Sequence, residues 1–118
     1  MAWKKAAIVG VGASRQGKLP GETPVSLAAE ALKAALADAG LKKSDIDGLL
    51  TLPGTTAPEG SKNYLTLGEK LGINPRFTGS MTLGGATAGA LIQNAAMAVA
   101  NGMAKAVVCL FADTARSG

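Results

Sequence analysis

Few side chains in this sequence could carry out covalent chemistry. The chain has no histidine and a single cysteine, Cys109. A Ser-His-Asp triad, a Cys-His pair and an imidazole metal site are therefore excluded within these 118 residues. Cys109 stands between Val108 and Leu110, and a reactive thiol needs a helix N-terminus or a cationic neighbour to lower its pKa. We therefore expect Cys109 to be an unreactive residue of a buried strand.

The segment Gly84-Gly85-Ala86-Thr87 precedes a long apolar stretch that predicts a helix. The N-terminus of a helix presents free N–H groups and a positive potential, which suit an oxyanion or a thiolate. A nucleophile would belong there, but the residue offered is Ala86, and the nearby hydroxyls belong to Thr82, Thr87 and Ser80. Glycines that simply permit close packing and a helix start explain the segment equally well.

A second glycine pattern, Gly10-Val11-Gly12, follows a short apolar run. A dinucleotide-binding fingerprint needs a third glycine three residues later and a helix that opens at once. Position 15 is arginine, and the first predicted helix begins only at Pro24. The pattern therefore favours the end of a strand turning into a loop over a nucleotide site.

The formal charge of +4 comes from scattered Lys and Arg residues, paired at most as Lys4-Lys5 and Lys42-Lys43. No basic stripe is interleaved with aromatic residues, so we expect no nucleic-acid partner. The longest apolar stretch, residues 86–100, is interrupted by Gln93 and Asn94 and is shorter than a membrane span. No secretory signal is evident, so we expect a cytoplasmic protein that does not enter a membrane.

Apolar periodicity and turn residues predict alternating strands and helices. Thr23-Pro24 opens a helix that Gly40 ends. The predicted strands are residues 6–11, 48–52, 76–82 and 105–112. The predicted helices are residues 24–39, 61–71, with Ser61 as the candidate cap, and 86–100. This order indicates an α/β fold with a mainly parallel sheet.

The helix over residues 86–100 is apolar nearly all round, which is typical of a buried helix. A single small α/β layer would leave one of its faces in water. Either more chain or another subunit is therefore expected to cover it.

In combination, three stretches resemble the N-terminal part of the thiolase superfamily, most closely its lipid-transfer or sterol-carrier-associated branch that lacks the nucleophilic cysteine. They are Ala7 to Gly12; Thr23 to Leu41 followed by Asp45 to Leu49; and Gly84 to Thr87 followed by Ala95 to Val99 and Gly102 to Ala104. The resemblance implies a layered αβα unit, the N-terminal half of a five-layer αβαβα fold. It also implies that residues 1–118 form a partial, N-terminal thiolase-like domain.

The resemblance implies an activity on acyl-CoA thioesters, with coenzyme A as part of the substrate and no resident cofactor or metal. The nucleophilic cysteine of thiolases starts the buried helix three residues before a glycine, and counting back from Gly89 places Ala86 there. Acyl-enzyme chemistry at that position is thereby excluded. Acyl transfer or retro-aldol carbon–carbon cleavage in lipid or steroid side-chain metabolism is implied instead. Residues Gly84, Gly85, Ala86, Thr87 and Gly89 would line the acyl pocket.

The resemblance also implies partners. Residues 76–82 would form a sheet edge that pairs antiparallel across a two-fold axis in a homodimer. The candidate interface residues are Phe77, Thr78, Ser80 and Met81. A small acyl-CoA-binding partner subunit is a further expectation. Two alternatives stay open: a non-catalytic acyl-CoA-binding, lipid-binding or assembly subunit, and a fragment without activity.

Overall fold

The structure is a computed structural model that describes residues 5–54 and 60–114. Its described elements alternate along the chain, and two short 3-10 turns, Lys43–Asp45 and Gly60–Lys62, lie between them. The helices are α1 (Pro24–Ala39), α2 (Asn63–Leu71) and α3 (Thr87–Ala100), and the strands are β1 (Gly48–Pro53), β2 (Phe77–Ser80) and β3 (Val107–Ala112). The predicted alternation of the last six elements is confirmed, with ends shifted by one or two residues. The side chain of Ser61 and most of the loop 53–60 lie outside the described residues.

Helix α1 begins and ends where the sequence predicts. Thr23 accepts a hydrogen bond from the backbone N–H of Ser26 at 3.1 Å, and the Ser26 hydroxyl accepts one from the N–H of Thr23 at 2.9 Å. This reciprocal cap satisfies two donors that the first turn would otherwise leave unpaired. Gly40 ends the helix at φ 71°, a left-handed conformation that glycine adopts without strain.

The sheet is parallel, with the strand order β2-β1-β3. The central strand β1 pairs Gly48 with Phe77 on one side and with Val107 on the other. Gly48 to Thr51 are all buried, because helices cover both faces of this strand. Strand β2 pairs with β1 alone among the described strands, so the predicted sheet edge at residues 76–82 is confirmed.

Helices α1 and α2 pack against one face of the sheet and form its main core. Alternation along β1 directs Leu49 and Thr51 to this face and Leu50 to the opposite one. The buried core cluster on the first face consists of Ala28, Leu32, Ile46, Leu49, Leu67, Leu71, Ile73 and Leu110. Helix α3 packs on the opposite face, over β1 and β3.

Helix α3 buries only one of its faces in this chain. Leu91 and Ala98 are almost fully buried, whereas Ile92 is 47% exposed and Met97 is 56% exposed. On β3, Phe111 is 55% exposed although it belongs to a strand of the sheet. The expectation that a single layer leaves one face of this helix in water is therefore confirmed.

The predicted strand at residues 6–11 is wrong for this structure. The segment has no strand assignment, and Ile8, Val9 and Val11 are 71%, 63% and 71% exposed. β1 pairs with β2 on one side and with β3 on the other, so the central strand has no free edge for a further strand. The segment lies instead against α1, where the Val11 N–H donates to the Asp38 carboxylate at 2.9 Å.

Asp47 fixes the start of the sheet. Its carboxylate accepts hydrogen bonds from the N–H groups of Lys105 and Ala106, both at 2.9 Å, just before β3 begins. Partial desolvation raises the pKa of this carboxyl, but the Ala106 and Lys105 donors, helped by its own N–H and the charge of Arg76, outweigh it. The net pKa of Asp47 therefore lies below its ordinary value, so the paired carboxylate stabilises the fold.

Candidate functional site

The start of α3 is a tight turn that leads out of β2. Gly84 adopts φ 60°, and residues 83 and 85 form an isolated β-bridge. Ala86 stands immediately before the helix at φ −85° and makes no side-chain cap. The first N–H groups of a helix have no acceptor within the helix. The Thr87 N–H donates to the carbonyl of Gly84 at 3.2 Å, so the candidate donors for an acyl oxygen are the N–H groups that follow it, and Ala86 supplies no nucleophile.

The hydroxyl of Thr87 holds this turn together. It accepts a hydrogen bond from the N–H of Leu83 at 2.7 Å and donates one to the carbonyl of Gly84 at 2.7 Å. The side chain is 1% exposed. Thr87 thus belongs to the predicted site, and its hydroxyl is engaged within the turn.

The rest of the predicted acyl-binding set is open to solvent. A Cβ built on Gly84, Gly85 or Gly89 would meet no atom within 4 Å, and Ala86 is exposed. A groove of about 460 Å³ lies elsewhere, between α1 and α2, and a cleft of about 130 Å³ lies between residues 14–19 and the end of β3. Neither cavity is lined by residues 84–89. Among the described residues, the segment 84–89 therefore forms only one side of the candidate site.

The four candidate interface residues lie at the edge of the sheet, but their side chains differ in what they contact. The Thr78 hydroxyl donates to the carbonyl of Leu49 at 2.8 Å, so it is held by the neighbouring strand. The Ser80 hydroxyl also turns inward, towards Thr51. Phe77 and Met81 are half-buried. Thr78 is the exposed residue of this strand, so a partner strand would meet the backbone edge of β2 together with Phe77, Thr78 and Met81.

A polar cluster behind this edge was missed by sequence reasoning. Thr51 Oγ1 lies 2.6 Å from Asn63 Oδ1 and 2.6 Å from Ser80 Oγ, and the Ser80 hydroxyl donates to Asn63 Oδ1 at 3.0 Å. Thr51 and Asn63 are buried. The sequence does offer a signal: two predicted strands carry a hydroxyl residue near their ends, Thr51 and Ser80, and the helix predicted between them has the amide residue Asn63 near its start.

Cys109 differs from its prediction. The side chain is exposed, because Cys109 faces away from the α1–α2 core on the outer strand β3. Desolvation raises the pKa of its thiol above the ordinary value, and no cation among residues 5–54 and 60–114 counteracts it. Cys109 is therefore accessible, while its environment disfavours the reactive thiolate.

The glycines of Gly10-Val11-Gly12 serve packing. A Cβ on Gly10 would lie 2.6 Å from the carbonyl oxygen of Ala35, and one on Gly12 would collide with the Ala35 backbone nitrogen. Both glycines therefore allow the N-terminal segment to approach α1. Arg15, at the position of the missing third glycine, forms ion pairs with Glu22 at 2.8 Å and Glu30 at 3.1 Å. The expectation that this pattern marks the end of a strand is wrong for this structure, because residues 6–11 form no strand.

Two kinds of feature are lacking in the part of the chain that the structure describes. No group of three His, Cys, Asp or Glu side chains there is placed to hold a metal ion. None of the helices there combines the length and apolar character needed to cross a bilayer.

Two curated proteins align with nearly all of this chain. It is 43% identical over 114 residues to a steroid side-chain-cleaving aldolase of Thermomonospora curvata, covering 96% of this chain and 28% of that protein. It is 44% identical over 115 residues to a 17-hydroxy-3-oxo-4-pregnene-20-carboxyl-CoA lyase of Mycobacterium tuberculosis, covering 97% of this chain and 28% of that protein. The chain thus spans less than a third of the length of either relative. No family model matches it.

Solved structures share the architecture. The structure described as Ltp2-ChsH2(DUF35) aldolase matches with a TM-score of 0.78 and 44% identity, over 97% of this chain and 29% of that one. An SCP2-thiolase-like protein of Mycobacterium smegmatis matches with a TM-score of 0.66 and 27% identity, over 88% of this chain and 22% of that one. A 3-oxoacyl-[acyl-carrier-protein] synthase III of Aquifex aeolicus matches in fold, with a TM-score of 0.69 and 19% identity, over 80% of this chain and 30% of that one.

These matches agree with the observed packing of helices against a parallel sheet. The chain has a thiolase-like α/β fold, as the sequence predicts. Its solved structural neighbours include an SCP2-thiolase-like protein.

Proposed function

We propose that this chain is the N-terminal part of a thiolase-like lyase that cleaves a carbon–carbon bond of an acyl-CoA thioester by a retro-aldol reaction in steroid side-chain metabolism. Support comes from the two relatives, whose names describe a steroid side-chain-cleaving aldolase and a carboxyl-CoA lyase. The chain spans only 28% of each relative, so the substrate and the activity of the whole protein are proposed rather than assigned from these names.

The observation that carries the proposal is the residue at the start of α3. Ala86 brings a methyl group to the place where a thiolase nucleophile would stand, at the end of a turn that leads into the N-terminus of α3. A site of this kind can bind and polarise a thioester carbonyl without forming a covalent acyl-enzyme. That combination favours a lyase over an acyltransferase.

The chemistry of a retro-aldol cleavage fits such a site. A base removes the proton of a hydroxyl group on the β-carbon, a carbonyl forms there, and the bond to the α-carbon breaks. The bonding electron pair passes into the thioester, giving an enolate that is then protonated on carbon. Donors at the start of α3 would stabilise the enolate oxygen, since charge develops there in the transition state. The resemblance to thiolase-like proteins implies that the base lies beyond these residues, and no histidine within them could serve instead.

Assembly is part of the same proposal. The exposed apolar side chains of α3 and the open wall at residues 84–89 require a covering layer to exclude water. The free edge of β2 suits antiparallel pairing with a second copy in a homodimer. A partner subunit is supported by the structural match to an assembly of two named components, Ltp2 and ChsH2(DUF35).

Product analysis of the natural protein that carries this chain tests the activity. A steroid acyl-CoA with a hydroxyl on the β-carbon is incubated without free coenzyme A, and products are identified by mass spectrometry. We expect a steroid ketone and a shortened acyl-CoA in equal amounts. The matched control substrate lacks the β-hydroxyl and is expected to stay intact.

Two outcomes would overturn the proposal. Cleavage of a β-keto thioester that requires free coenzyme A would identify an acyltransferase. Tight binding of both substrates with no cleavage would instead support the alternative, a non-catalytic acyl-CoA-binding subunit. The homodimer is tested separately by analytical ultracentrifugation over a dilution series, where a monomer at every concentration would contradict it.

A further inference from the structure

Three polar side chains meet at the carboxyl ends of β1 and β2. Thr51 is the register partner of Ser80 across the two strands, and Asn63 is the first residue of α2. The atoms Thr51 Oγ1, Ser80 Oγ and Asn63 Oδ1 form a triangle with sides of 2.6, 2.6 and 3.0 Å. Thr51 is 0% exposed and Asn63 is 5% exposed, so water does not replace these bonds readily.

The hydrogen bonds of the triangle join three elements at one point. Thr51 donates its hydroxyl proton to the Asn63 amide oxygen, and the Ser80 proton is shared between that oxygen and Thr51 Oγ1. Removing either hydroxyl takes one hydrogen-bond donor from the buried Asn63 oxygen. This lowers the stability of the folded state, because solvent cannot replace the lost donor there. The triangle therefore fixes the end of β2 relative to β1 and α2.

The residue after the triangle continues the connection towards α3. The Met81 N–H donates to the carbonyl of Thr51 at 3.0 Å, and the Met81 sulfur accepts a hydrogen bond from Asn94 of α3 at 3.7 Å. From Met81, the chain enters the turn that Thr87 closes at its other end. The triangle thus fixes the entry of the turn, and Thr87 fixes its exit.

We propose that Thr51, Asn63 and Ser80 are positioning residues for the acyl-binding wall at residues 84–89, which they hold in place through Met81. This inference rests on the proposed function for the identity of the bound group, an acyl thioester. None of the three side chains needs to touch the substrate. Their role is to keep the donors at the start of α3 aligned with the thioester oxygen.

The test compares Thr51→Val with Thr51→Ser in the natural protein. Valine keeps the shape and strand preference of threonine but has no hydroxyl, whereas serine keeps the hydroxyl. Amide hydrogen exchange is followed in peptides covering residues 81–89 and, as an internal reference, residues 24–39. We expect Thr51→Val to speed exchange in 81–89 about five- to tenfold, with 24–39 unchanged and Thr51→Ser close to the parent.

Steady-state kinetics on the acyl-CoA substrate add a second measurement. We expect Thr51→Val to lower kcat by about tenfold with a smaller change in KM, because alignment matters most in the transition state. Equal acceleration of exchange in both regions, or no local change in 81–89, would overturn the positioning role. If the parent protein cleaves no thioester, the proposed function fails, while the exchange comparison still decides whether the triangle controls this turn. If Thr51→Val does not fold, Ser80→Ala removes a hydroxyl at a half-buried position and is judged by the same measurements.

Discussion

Thr87 and Leu83 are joined by a hydrogen bond of 2.7 Å from the Leu83 N–H to the Thr87 hydroxyl, which closes the turn before α3. The same hydroxyl donates to the carbonyl of Gly84, so one buried side chain satisfies both a donor and an acceptor of the turn. The glycines and Ala86 are exposed around it. The site therefore combines a rigid attachment on its inner side with an open surface on its outer side.

Replacing Thr87 with valine should destabilise the protein by about 1–2 kcal/mol, because the Leu83 N–H loses its side-chain acceptor and the Gly84 carbonyl loses one of its two donors. Thr87→Ser keeps the hydroxyl and should lose less than half of that amount. Urea unfolding of the natural protein followed by circular dichroism measures both. Equal losses for valine and serine would show that the methyl group, and not the hydroxyl, stabilises the turn.

Replacing Gly89 with alanine separates stability from binding. A Cβ at this helical position meets nothing within 4 Å in this chain, and alanine is favoured over glycine in a helix by about 0.5–1 kcal/mol. We therefore expect an unchanged or raised Tm together with a higher KM for the acyl-CoA substrate, since the added methyl narrows the binding wall. Calorimetry and steady-state kinetics check the two effects. An unchanged KM would place the substrate away from Gly89.

Asp47 should make stability depend on pH in the acid range. Its pKa is lowered on folding, so the stabilisation is present at neutral pH and is lost as pH falls below about 4 towards the folded-state value. Asp47→Asn removes the charge, so its deficit in stability should be largest at pH 7 and shrink in acid. Urea unfolding across this range measures the difference. A deficit that is constant with pH would contradict the role of the carboxylate charge.

Cys109 should react with iodoacetamide without denaturant but slowly at neutral pH. Its side chain is exposed, while desolvation raises the pKa of the thiol. The rate should therefore reach half of its maximum above the ordinary thiol pKa of about 8.5. Glutathione under the same conditions is the reference, and mass spectrometry locates the adduct. A midpoint below that of glutathione would indicate an activating cation near Cys109.

Local signals predicted most of the elements, because each was encoded by neighbouring residues. Thr23-Pro24 and Gly40 bound α1, and Gly72 ends α2 at φ 73° in the left-handed conformation. The prediction of a strand at residues 6–11 is wrong because it rested only on the apolar run. Whether such a run forms a strand depends on a free neighbouring strand, and both edges of β1 are already paired. The predicted burial of Cys109 is wrong because this residue lies on the sheet face that α3 covers only in part.

The candidate site was predictable only in part. The glycine turn and Ala86 are visible in the sequence, because they are contiguous and precede an apolar helix. The Thr51–Asn63–Ser80 triangle joins residues separated by 12 to 29 positions, and the pairing of β1 with β2 sets its register. Such a contact has no local sequence pattern, so it emerges only once the sheet is assembled.

The most direct test of the central claim is the intact mass of the natural protein during turnover. The claim is that a carbon–carbon bond of an acyl-CoA thioester is cleaved and that no acyl group becomes attached to this chain. The reason is that Ala86 stands at the start of α3, where a thiolase would have its nucleophile. Samples are quenched in acid at successive times with a β-hydroxyacyl-CoA substrate, and protein and products are measured together. We predict an unmodified chain at every time point while ketone and shortened thioester accumulate. A chain heavier by one acyl group during turnover, on Cys109 or elsewhere in residues 1–118, would contradict the account.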